Sequence, residues 1–392
     1  MEHRRLGKAG PEVGVIGLGT EHIQRTQDTL DSILRAAVEA GVSYVDLLYV
    51  EPDYWEAFGS LYRIYRDHLV LAAHWGGAVY DLDYCRSTVA NMLSCVGNNY
   101  IDVAMMTMID DGDRKGQPWR EASLEHLHRL QQQGHLGLIG GTAHDPDLAY
   151  AAVTGGWLDV LMFPVNMLGH DHEPDRRLRQ ACLDHGVGLV AMKPYHGGRL
   201  FSANGQPTGI TPAQCLGYVF SLPVATAVPG PKALAEWQAT LHYLEATEAE
   251  KDYQPVLATL HDRLVGQCVY CHHCLPCPQG IEIGWTIWCL DNVPGGNLDM
   301  LRKEYAGYPA KASECVECGV CLERCPFEVD IMARLREAVE IFEDTAVQGT
   351  CRRQGAYGTR TTGVEIHPIP PDHSLHHQES EGGAYRREPV LH

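Results

Sequence analysis

The chain has 392 residues, and 45% of them are hydrophobic. Its length is enough for one α/β barrel of up to about 250 residues and a smaller module. Its formal net charge of -19 leaves no general cationic face for nucleic acid phosphates or anionic lipid, so we expect neither partner. The sequence has no apolar run of the roughly 20 residues that span a bilayer and no signal-peptide core at its start, which predicts a cytoplasmic protein.

Short apolar runs alternate with helix-length amphipathic stretches from Val13 to about Leu244. This alternation is typical of βα units around a parallel sheet. The predicted strands are 15–18, 44–47, 69–73, 103–106, 136–139, 160–163, 188–192 and 225–228, and helices are predicted at 28–40, 121–133 and 174–185. Eight such units predict the α/β fold class, with a TIM (β/α)8 barrel over residues 1–245.

The rest of the chain divides into a cysteine-rich module and a tail. A polar helical connector is predicted at about 246–265, after which cysteines become frequent up to Cys325, and a helix is predicted at 331–342. We therefore assign residues 246–346 to a small α-helical module. Residues 347–392 are rich in Gly, Pro, His and charge without an apolar period, which predicts a flexible tail.

The most specific motif is the later cysteine run. It consists of Cys315, Cys318, Cys321 and Cys325, followed by Pro326. This is the C-x2-C-x2-C-x3-C-P spacing of bacterial ferredoxins. Three thiolates at this spacing let one loop wrap a corner of an iron cube, and the cysteine before the proline reaches the neighbouring cluster. The run therefore predicts an iron–sulfur module that transfers single electrons, which implies either a redox partner protein or a redox site in the barrel.

The earlier run is one residue shorter before its last cysteine. It consists of Cys268, Cys271, Cys274 and Cys277, followed by Pro278. Eight ligands predict two [4Fe-4S] clusters. By the swapped ferredoxin pattern, Cys325 completes the cluster of the first three cysteines of the earlier run, and Cys277 completes the other. Zinc is the alternative, since paired CxxC sequences also make closed tetrahedral sites, although zinc does not use a third CxxC step.

The barrel sequence resembles a known family. The segments MEHRRLGKAG, VIGLGT, GVSYVDLLY, YIDVAMM, GLIGGTAHDP, WLDVLMFPVN, GLVAMKPYHGG and VATAVPGPKAL follow the aldo-keto reductase motifs in order over nearly the whole barrel. The later segments CVYCHHCLPCP and KASECVECGVCLERCPFEVDI look like the ferredoxin-fused branch of that family. The resemblance implies an aldo-keto reductase-type barrel followed by a ferredoxin-like domain.

The resemblance also implies NADP(H) at the C-terminal face of the barrel. Asn166 and Thr142 match the side chains that bind the nicotinamide amide. Gly230 and Lys232 match a phosphate site at a helix start, while Thr240 stands where the family has an asparagine. Two other interpretations stay open: Asn166 only satisfies loop backbone groups, or Lys232 is an ordinary surface charge.

The resemblance places a catalytic tetrad of Asp, Tyr, Lys and His, in which the tyrosine protonates a carbonyl oxygen. Asp46 matches its position. The other three positions hold Glu51 for the tyrosine, His74 for the lysine and Thr107 for the histidine. Tyr49 and Tyr54 are possible replacements for the tyrosine. We take Asp46, Tyr49 and His74 as the catalytic candidates, and ordinary carbonyl reduction by the standard tetrad is not expected.

Further histidines follow predicted strands at the same face. They are His144, His170, His172 and His196. With His74 they allow either a reworked acid–base site or a metal site built on imidazole. The sequence therefore predicts an oxidoreductase that acts on a small carbonyl, alcohol or unsaturated compound, with the clusters relaying electrons. The alternative is a non-catalytic electron-transfer or redox-sensing subunit that uses the barrel as a scaffold.

Overall fold

A computed structural model describes residues 1–343 apart from 24–25, 49–51, 77–81, 98, 108, 110–118, 171, 204–205 and 295–296. Every described residue belongs to one compact unit, Met1–Glu343. The predicted tail at 347–392 and the candidate Tyr49 lie outside the described residues, as does the side chain of Tyr54.

The barrel is a ring of parallel strands. The strands of the chain are β1 (His3–Arg5), β2 (Glu12–Gly14), β3 (Leu18–Gly19), β4 (Tyr44–Leu47), β5 (Val70–Trp75), β6 (Ile101–Met106), β7 (Leu136–Thr142), β8 (Val160–Pro164), β9 (Gly188–Met192), β10 (Ser202–Ala203), β11 (Gln206–Pro207) and β12 (Thr226–Ala227). Eight of them form the sheet β12-β9-β8-β7-β6-β5-β4-β3. Ala227 donates its backbone N–H to Val15 O at 2.9 Å and accepts from Gly17 N at 2.7 Å, which closes the ring. The predicted eight-stranded barrel is confirmed.

The barrel helices follow the strands. They are α1 (Gln27–Glu39), α2 (Pro52–Tyr65), α3 (Leu82–Val96), α4 (Trp119–Gln132), α5 (Pro146–Thr154), α6 (Glu173–His185), α7 (Pro212–Phe220) and α8 (Leu234–Leu241). Polar caps explain several starts: the Thr26 side chain accepts from Thr29 N before α1, and Asp145 accepts from two backbone N–H groups before α5. Helix α6 ends at Gly186, whose φ of 68° is left-handed.

Strand alternation decides which side chains point into the barrel. Tyr44 and Ala72 belong to a buried interior cluster, separate from the larger core between sheet and helices. Because side chains two residues apart on a strand share a face, Asp46 and His74 also point inward, one step nearer the carboxyl ends of β4 and β5. Thr107, directly after β6, is likewise two residues beyond the interior Met105. Three neighbouring strands thus place polar groups at the mouth of the barrel.

The hairpin β1–β2 packs at the opposite end. A Cβ on Gly7, whose φ is 69°, would lie 2.6 Å from Gly188 N, so the turn requires glycine for both conformation and space. Arg4 donates to the carbonyl oxygens of Phe220 at 2.9 Å and Val224 at 2.9 Å, near the end of α7. These contacts leave the carboxyl ends of the strands as the open face.

The cysteine-rich part is helical. Its helices are α9 (Glu248–Lys251), α10 (Gln254–Leu264), α11 (Ile283–Asp291), α12 (Leu298–Ala306), α13 (Val320–Arg324) and α14 (Ile331–Ala338). Each cysteine run precedes one long helix, α11 or α14, and Ile283, Ile287 and Leu335 from these helices are buried in the core that also contains the barrel helices. Arg199 of the barrel forms an ion pair with Asp291 of α11 at 3.4 Å.

Most element boundaries differ from the predictions by one to three residues, the first barrel strand being Leu18–Gly19 instead of 15–18, and three differences concern the site or the cysteine-rich part. Strand β5 extends to Trp75 instead of residue 73, because His74 is buried and hydrogen-bonded rather than part of a polar loop. Strand β7 extends to Thr142, since Gly140 and Gly141 continue the parallel pairing with β8. Helix α14 ends at Ala338, and the chain continues as a π-helix, Val339–Glu343.

Among the described residues, no helix combines the length and apolar character needed to cross a membrane.

Candidate functional site

Three buried polar side chains form a hydrogen-bonded chain at the barrel mouth. His74 Nε2 lies 3.0 Å from Asp46 Oδ1, and His74 Nδ1 lies 3.0 Å from Thr107 Oγ1. Their exposed fractions are 8% for Asp46, 5% for His74 and 8% for Thr107. The fold therefore brings together the three described tetrad positions. Asp46 is further held through its backbone carbonyl, which accepts from Thr20 Oγ1 at 2.9 Å.

The chemistry of these three side chains determines which atom donates and which accepts in each hydrogen bond. An ionised carboxylate only accepts, so His74 donates through Nε2–H to Asp46. Nδ1 of a neutral imidazole then accepts from the Thr107 hydroxyl. Both ring nitrogens of His74 are engaged in this way, so a proton moving between His74 and the barrel mouth can pass through the Thr107 hydroxyl. The arrangement resembles an acid–histidine–hydroxyl triad, in which the Asp46 carboxylate orients the His74 ring.

The predicted nicotinamide residues lie on the next strands. Thr142 ends β7, and Asn166 follows β8; both are buried. The Asn166 side chain accepts from Leu168 N at 3.1 Å and donates to Lys193 O at 3.2 Å. It therefore organises two loops at the mouth. These two hydrogen bonds satisfy backbone groups of the loops, a role of Asn166 that the sequence left open. They use one acceptor and one donor site of the Asn166 side-chain amide.

The predicted phosphate residues lie between β12 and α8. Gly230 and Lys232 are both exposed, and the backbone N–H of Lys232 donates to Glu236 Oε2 at 2.7 Å. The Glu236 carboxylate thus already accepts a hydrogen bond from the backbone N–H of Lys232 at the helix start, where the sequence predicts that a phosphate binds. Thr240, at the expected asparagine position, is buried and accepts from Tyr195 Oη at 3.0 Å. An incoming phosphate would compete with Glu236 for the Lys232 N–H.

One polar residue at the mouth was not among the predicted site residues. Lys193 directly follows β9, and its Nζ lies 2.9 Å from Nε2 of His144. Its φ of 53° is unusual for a residue with a side chain. Because a conformation of this kind costs about 1 to 3 kcal/mol, it indicates that the surrounding loops fix Lys193. Its position directly after a predicted strand was the sequence signal for it.

Histidines after the barrel strands meet the cysteine-rich part. The His196 ring lies 6.2 Å from Tyr270, His172 lies 5.7 Å from His273, and His144 lies 6.5 Å from Trp285, measured between ring centroids. Trp285 in turn lies 5.5 Å from His272. The fourth histidine, His170, contacts Tyr218 of the barrel at 5.6 Å. The earlier cysteine run therefore packs against the C-terminal face of the barrel.

Burial perturbs several titratable groups at this contact, His196 and Asp175 among them. Desolvation, followed by the charges of Lys193 and Arg199, lowers the pKa of His196 to about 4, so its ring is neutral near pH 7. Burial raises the pKa of Asp175, although its hydrogen bond with His172 opposes the shift. His172 is hydrogen-bonded to Asp175, whereas His196 packs against Tyr270, so these two histidines do not share one site. Within the described residues no three His, Cys, Asp or Glu side chains are grouped closely enough to hold a single metal ion, so the alternative metal site on the barrel histidines is not formed there.

Two adjacent cavities lie between the cysteine runs. The inner cavity encloses about 330 Å³ of empty space, its opening included, and is lined by the cysteines Cys268, Cys271, Cys274 and Cys325. The outer cavity encloses about 360 Å³ in the same measure and is lined by Cys274, Cys277, Cys315, Cys318 and Cys321. The inner cavity therefore takes three cysteines of the earlier run and the last of the later run, whereas the outer cavity takes three cysteines of the later run with Cys277 and the shared Cys274 of the earlier run.

The inner cavity is the one next to the barrel. Tyr270 and His272 line it, and these are the side chains that reach His196 and, through Trp285, His144. Gly284 of α11 makes room for this loop, since a Cβ there would lie 3.0 Å from the His272 ring. In the outer cavity Cys318 is exposed. The two cavities thus lead from the barrel face towards solvent.

The two cysteine runs share an unusual backbone. The residues before and after the second cysteine have positive φ in both: Tyr270 (51°) and His272 (58°) in one run, Glu317 (50°) and Gly319 (78°) in the other. Alternating right- and left-handed residues form concave arrays of N–H groups that bind anions, including iron–sulfur clusters. Each non-glycine residue in this region costs about 1 to 3 kcal/mol, which indicates a functional constraint.

Burial opposes ionisation of the three earlier-run cysteines that line the inner cavity. Desolvation raises the pKa values of Cys268 and Cys274 to about 12. It also raises the pKa of Cys271. A coordinated metal deprotonates a thiol outright. The chemistry of this donor set therefore fits a cationic group that turns several buried thiols into thiolates.

A polar groove runs beside the inner cavity. It encloses about 1200 Å³, including its open side, and Cys268 forms part of its wall. Asp291 within it accepts hydrogen bonds from Arg199, Arg334 and the Tyr270 hydroxyl. The groove is a second route by which solvent approaches the inner cysteines.

Comparisons with known proteins concern the barrel. The model of the Aldo/keto reductase family matches residues 13–249. The Uncharacterized oxidoreductase YqkF of Bacillus subtilis (strain 168) is 24% identical over 215 residues, which cover 51% of this chain and 67% of YqkF. The holo form of aldo-keto reductase AKR11C1 from Bacillus halodurans has a TM-score of 0.55 at 20% identity, covering 66% of this chain and 96% of that one. Its apo form has a TM-score of 0.51 with the same identity and coverage. At this identity the structural likeness shows the fold alone.

Proposed function

The chain belongs to the aldo/keto reductase family and is an oxidoreductase of that type, and from this premise we propose an iron–sulfur enzyme with an altered catalytic tetrad. It acts on a small carbonyl, alcohol or unsaturated compound at the barrel mouth. Two [4Fe-4S] clusters, one in each cysteine cavity, exchange electrons with that site. The ferredoxin-type domain of this proposal comprises the cysteine runs and helices α11 to α14.

The observation that carries the proposal is the division of the cysteines between the two cavities. Cys325 of the later run lines the inner cavity with Cys268, Cys271 and Cys274. Cys277 of the earlier run lines the outer cavity with Cys315, Cys318 and Cys321, while Cys274 lines both. This exchange of the last cysteines is what the swapped ligation of two-cluster ferredoxins would require. A tetrahedral zinc ion would instead draw four sulfurs to about 2.3 Å from one point. The paired positive-φ loops also favour clusters.

The barrel residues supply proton transfer and orientation. When bound, the clusters would supply or accept single electrons. Asp46 fixes the His74 ring, and His74 exchanges a proton with the Thr107 hydroxyl, which delivers it to a substrate oxygen at the mouth. Imidazole suits this task because it donates or accepts a proton near neutral pH. Tyr49, the remaining catalytic candidate, keeps its proposed role as a further proton donor.

NADP(H) is the proposed nucleotide at the mouth. Thr142 and Asn166 would face its nicotinamide amide, and Gly230 and Lys232 a phosphate. The support is the position of these residues after β7, β8 and β12, since ligands of TIM barrels bind at the carboxyl ends of the strands. Asn166 already bonds two loops, so nicotinamide binding would use its remaining hydrogen-bonding capacity or exchange one of those bonds.

An anaerobic nicotinamide titration tests the function. Protein isolated without oxygen is mixed with NADPH and a panel of small aldehydes, ketones and dicarbonyl compounds, and followed by visible absorption and electron paramagnetic resonance. We expect nucleotide binding, and cluster signals that change when a substrate is present. Intact clusters that respond to no nucleotide or substrate would favour the non-catalytic subunit, whose support is the loss of three tetrad side chains.

Lys232→Ala is expected to weaken NADPH binding at least tenfold and NADH binding little. The reason is that NADPH carries an extra phosphate, which the Lys232 ammonium would bind, and NADH has no such phosphate. Direct titration of both nucleotides against the anaerobic protein measures the difference. Glu236→Gln is the matched control, because it removes the carboxylate that occupies Lys232 N–H and should tighten NADPH. Equal weakening of both nucleotides by Lys232→Ala would remove the phosphate role.

A further inference from the structure

The surface around the outer cavity has an apolar centre. Cys318, a lining cysteine of that cavity, is exposed. Val316 is 60% exposed and Leu322 is 39% exposed, although both are large hydrophobic residues. We call Val316, Cys318 and Leu322 the outer patch. Apolar groups held in solvent beside a prospective electron carrier are typical of a surface that another protein covers.

Carboxylates surround the outer patch. Residues 311–330 contain five carboxylates and only two cationic side chains, so this stretch carries three net negative charges. Glu317 is 64% exposed in its side chain although it forms an ion pair with Arg336 at 3.1 Å, and Glu323 is exposed as well. The whole chain carries a formal charge of -19, so its long-range field has the same sign. Such a field attracts a positively charged protein and repels an acidic one.

The position of the outer patch suits electron entry and exit. The inner cavity faces the barrel through Tyr270 and His272, whereas the outer cavity has Cys318 at the surface. Cys274 lines both cavities, so groups bound in them would be neighbours. An electron could pass from the barrel mouth to a group in the inner cavity, then to a group in the outer cavity and out to a surface partner, or along the same route in reverse.

We propose that the outer patch docks a small one-electron carrier protein whose contact face is basic around an apolar centre. This inference rests on the proposed function, since it requires clusters. In the step concerned, one electron leaves the reduced outer cluster and reduces one oxidised centre of the carrier, so the cluster is oxidised by one electron and no proton or group is transferred.

A basic cytochrome c serves as the probe. Anaerobic holoprotein with reduced clusters, freed of excess reductant, is mixed with ferric cytochrome c by stopped flow at several salt concentrations. We expect a rate constant that falls as salt rises. The double variant Glu317→Gln, Glu323→Gln should react about three- to tenfold more slowly at low salt, because rim charges act mainly on association rates. Ferricyanide, a small anion that needs no docking, should not react more slowly with this variant.

Matched controls separate docking from general effects. Glu121→Gln with Glu125→Gln removes two charges from the barrel helix α4 and should leave the cytochrome rate within about twofold. Val316→Ser should slow cytochrome c at every salt concentration, whereas Met300→Ser, at a side chain that is 71% exposed elsewhere, should not. Iron content and the resonance spectrum of each variant establish that its clusters are intact.

Four results would overturn the proposal. With intact clusters, equal rates for the outer-patch and control variants would remove the docking site while leaving the enzyme function standing. Slowing by Ser202→Trp, which narrows the groove beside Cys268, and not by the outer-patch variants would place the electron exit there. A dimer that Val316→Ser dissociates in sedimentation experiments would make a second copy of this chain the occupant. Absence of clusters from the anaerobic wild-type protein would overturn both the docking site and the proposed function.

Discussion

His74→Ala is expected to lower turnover by about two to four powers of ten, which is the usual contribution of a positioned proton-transfer group. The physical reason is that His74 is the only link between Asp46 and Thr107 that the described hydrogen bonds provide. Steady-state rates with NADPH and the best substrate of the panel measure the effect. Nucleotide affinity and iron content should remain near those of the wild-type protein.

Two variants of Thr107 distinguish proton transfer from packing. Thr107→Val keeps the shape but removes the hydroxyl, so it should slow turnover at least tenfold, whereas Thr107→Ser keeps the hydroxyl and should retain most of the rate. His74→Gln tests the ring itself, because an amide can hydrogen-bond to Asp46 but does not titrate near neutral pH. Unchanged turnover in His74→Ala with intact clusters would remove the acid–base role and favour the non-catalytic subunit.

Cys277→Ser is expected to eliminate the cluster of the outer cavity and leave that of the inner cavity, so the iron content should fall by about half. The reason is that Cys277 lines the outer cavity although it belongs to the earlier run. Cys325→Ser should do the converse, since Cys325 lines the inner cavity. Iron analysis with electron paramagnetic resonance after anaerobic reconstitution measures both.

A cysteine outside the runs provides the control for these variants. Cys215 is buried in α7 of the barrel and lines neither cavity, so Cys215→Ala should leave the iron content unchanged. If Cys277→Ser instead removed the same cluster as Cys271→Ser, the ligands would be grouped by run, and the swapped ligation would be wrong.

The barrel could be predicted because its information is local. Apolar runs fixed the positions of β4 and β9 to the residue, since a strand buried on both faces is a continuous apolar segment. The predicted boundaries were wrong where tertiary contacts determine the length of a strand or helix. His74 interrupts an apolar run in the sequence, yet Asp46 and Thr107 satisfy it inside the barrel, so β5 continues to Trp75.

The site was predictable only in part, because its remaining contacts join distant segments. The family resemblance placed Asp46, His74 and Thr107 at one mouth, but nothing local indicated that the Thr107 hydroxyl would hydrogen-bond the His74 ring. The pair of Lys193 and His144 is separated by 49 residues. Contacts between the barrel histidines and the cysteine loops depend on how two parts of the chain pack, which periodicity does not encode.

The iron and acid-labile sulfide content of anaerobically isolated protein tests the central claim most directly. Two cubes bound by the cysteines of the two cavities predict about eight iron atoms and about eight sulfides per chain, with a resonance signal from each cluster on reduction. Zinc without labile sulfide after anaerobic reconstitution, at one ion or two per chain, would contradict the account.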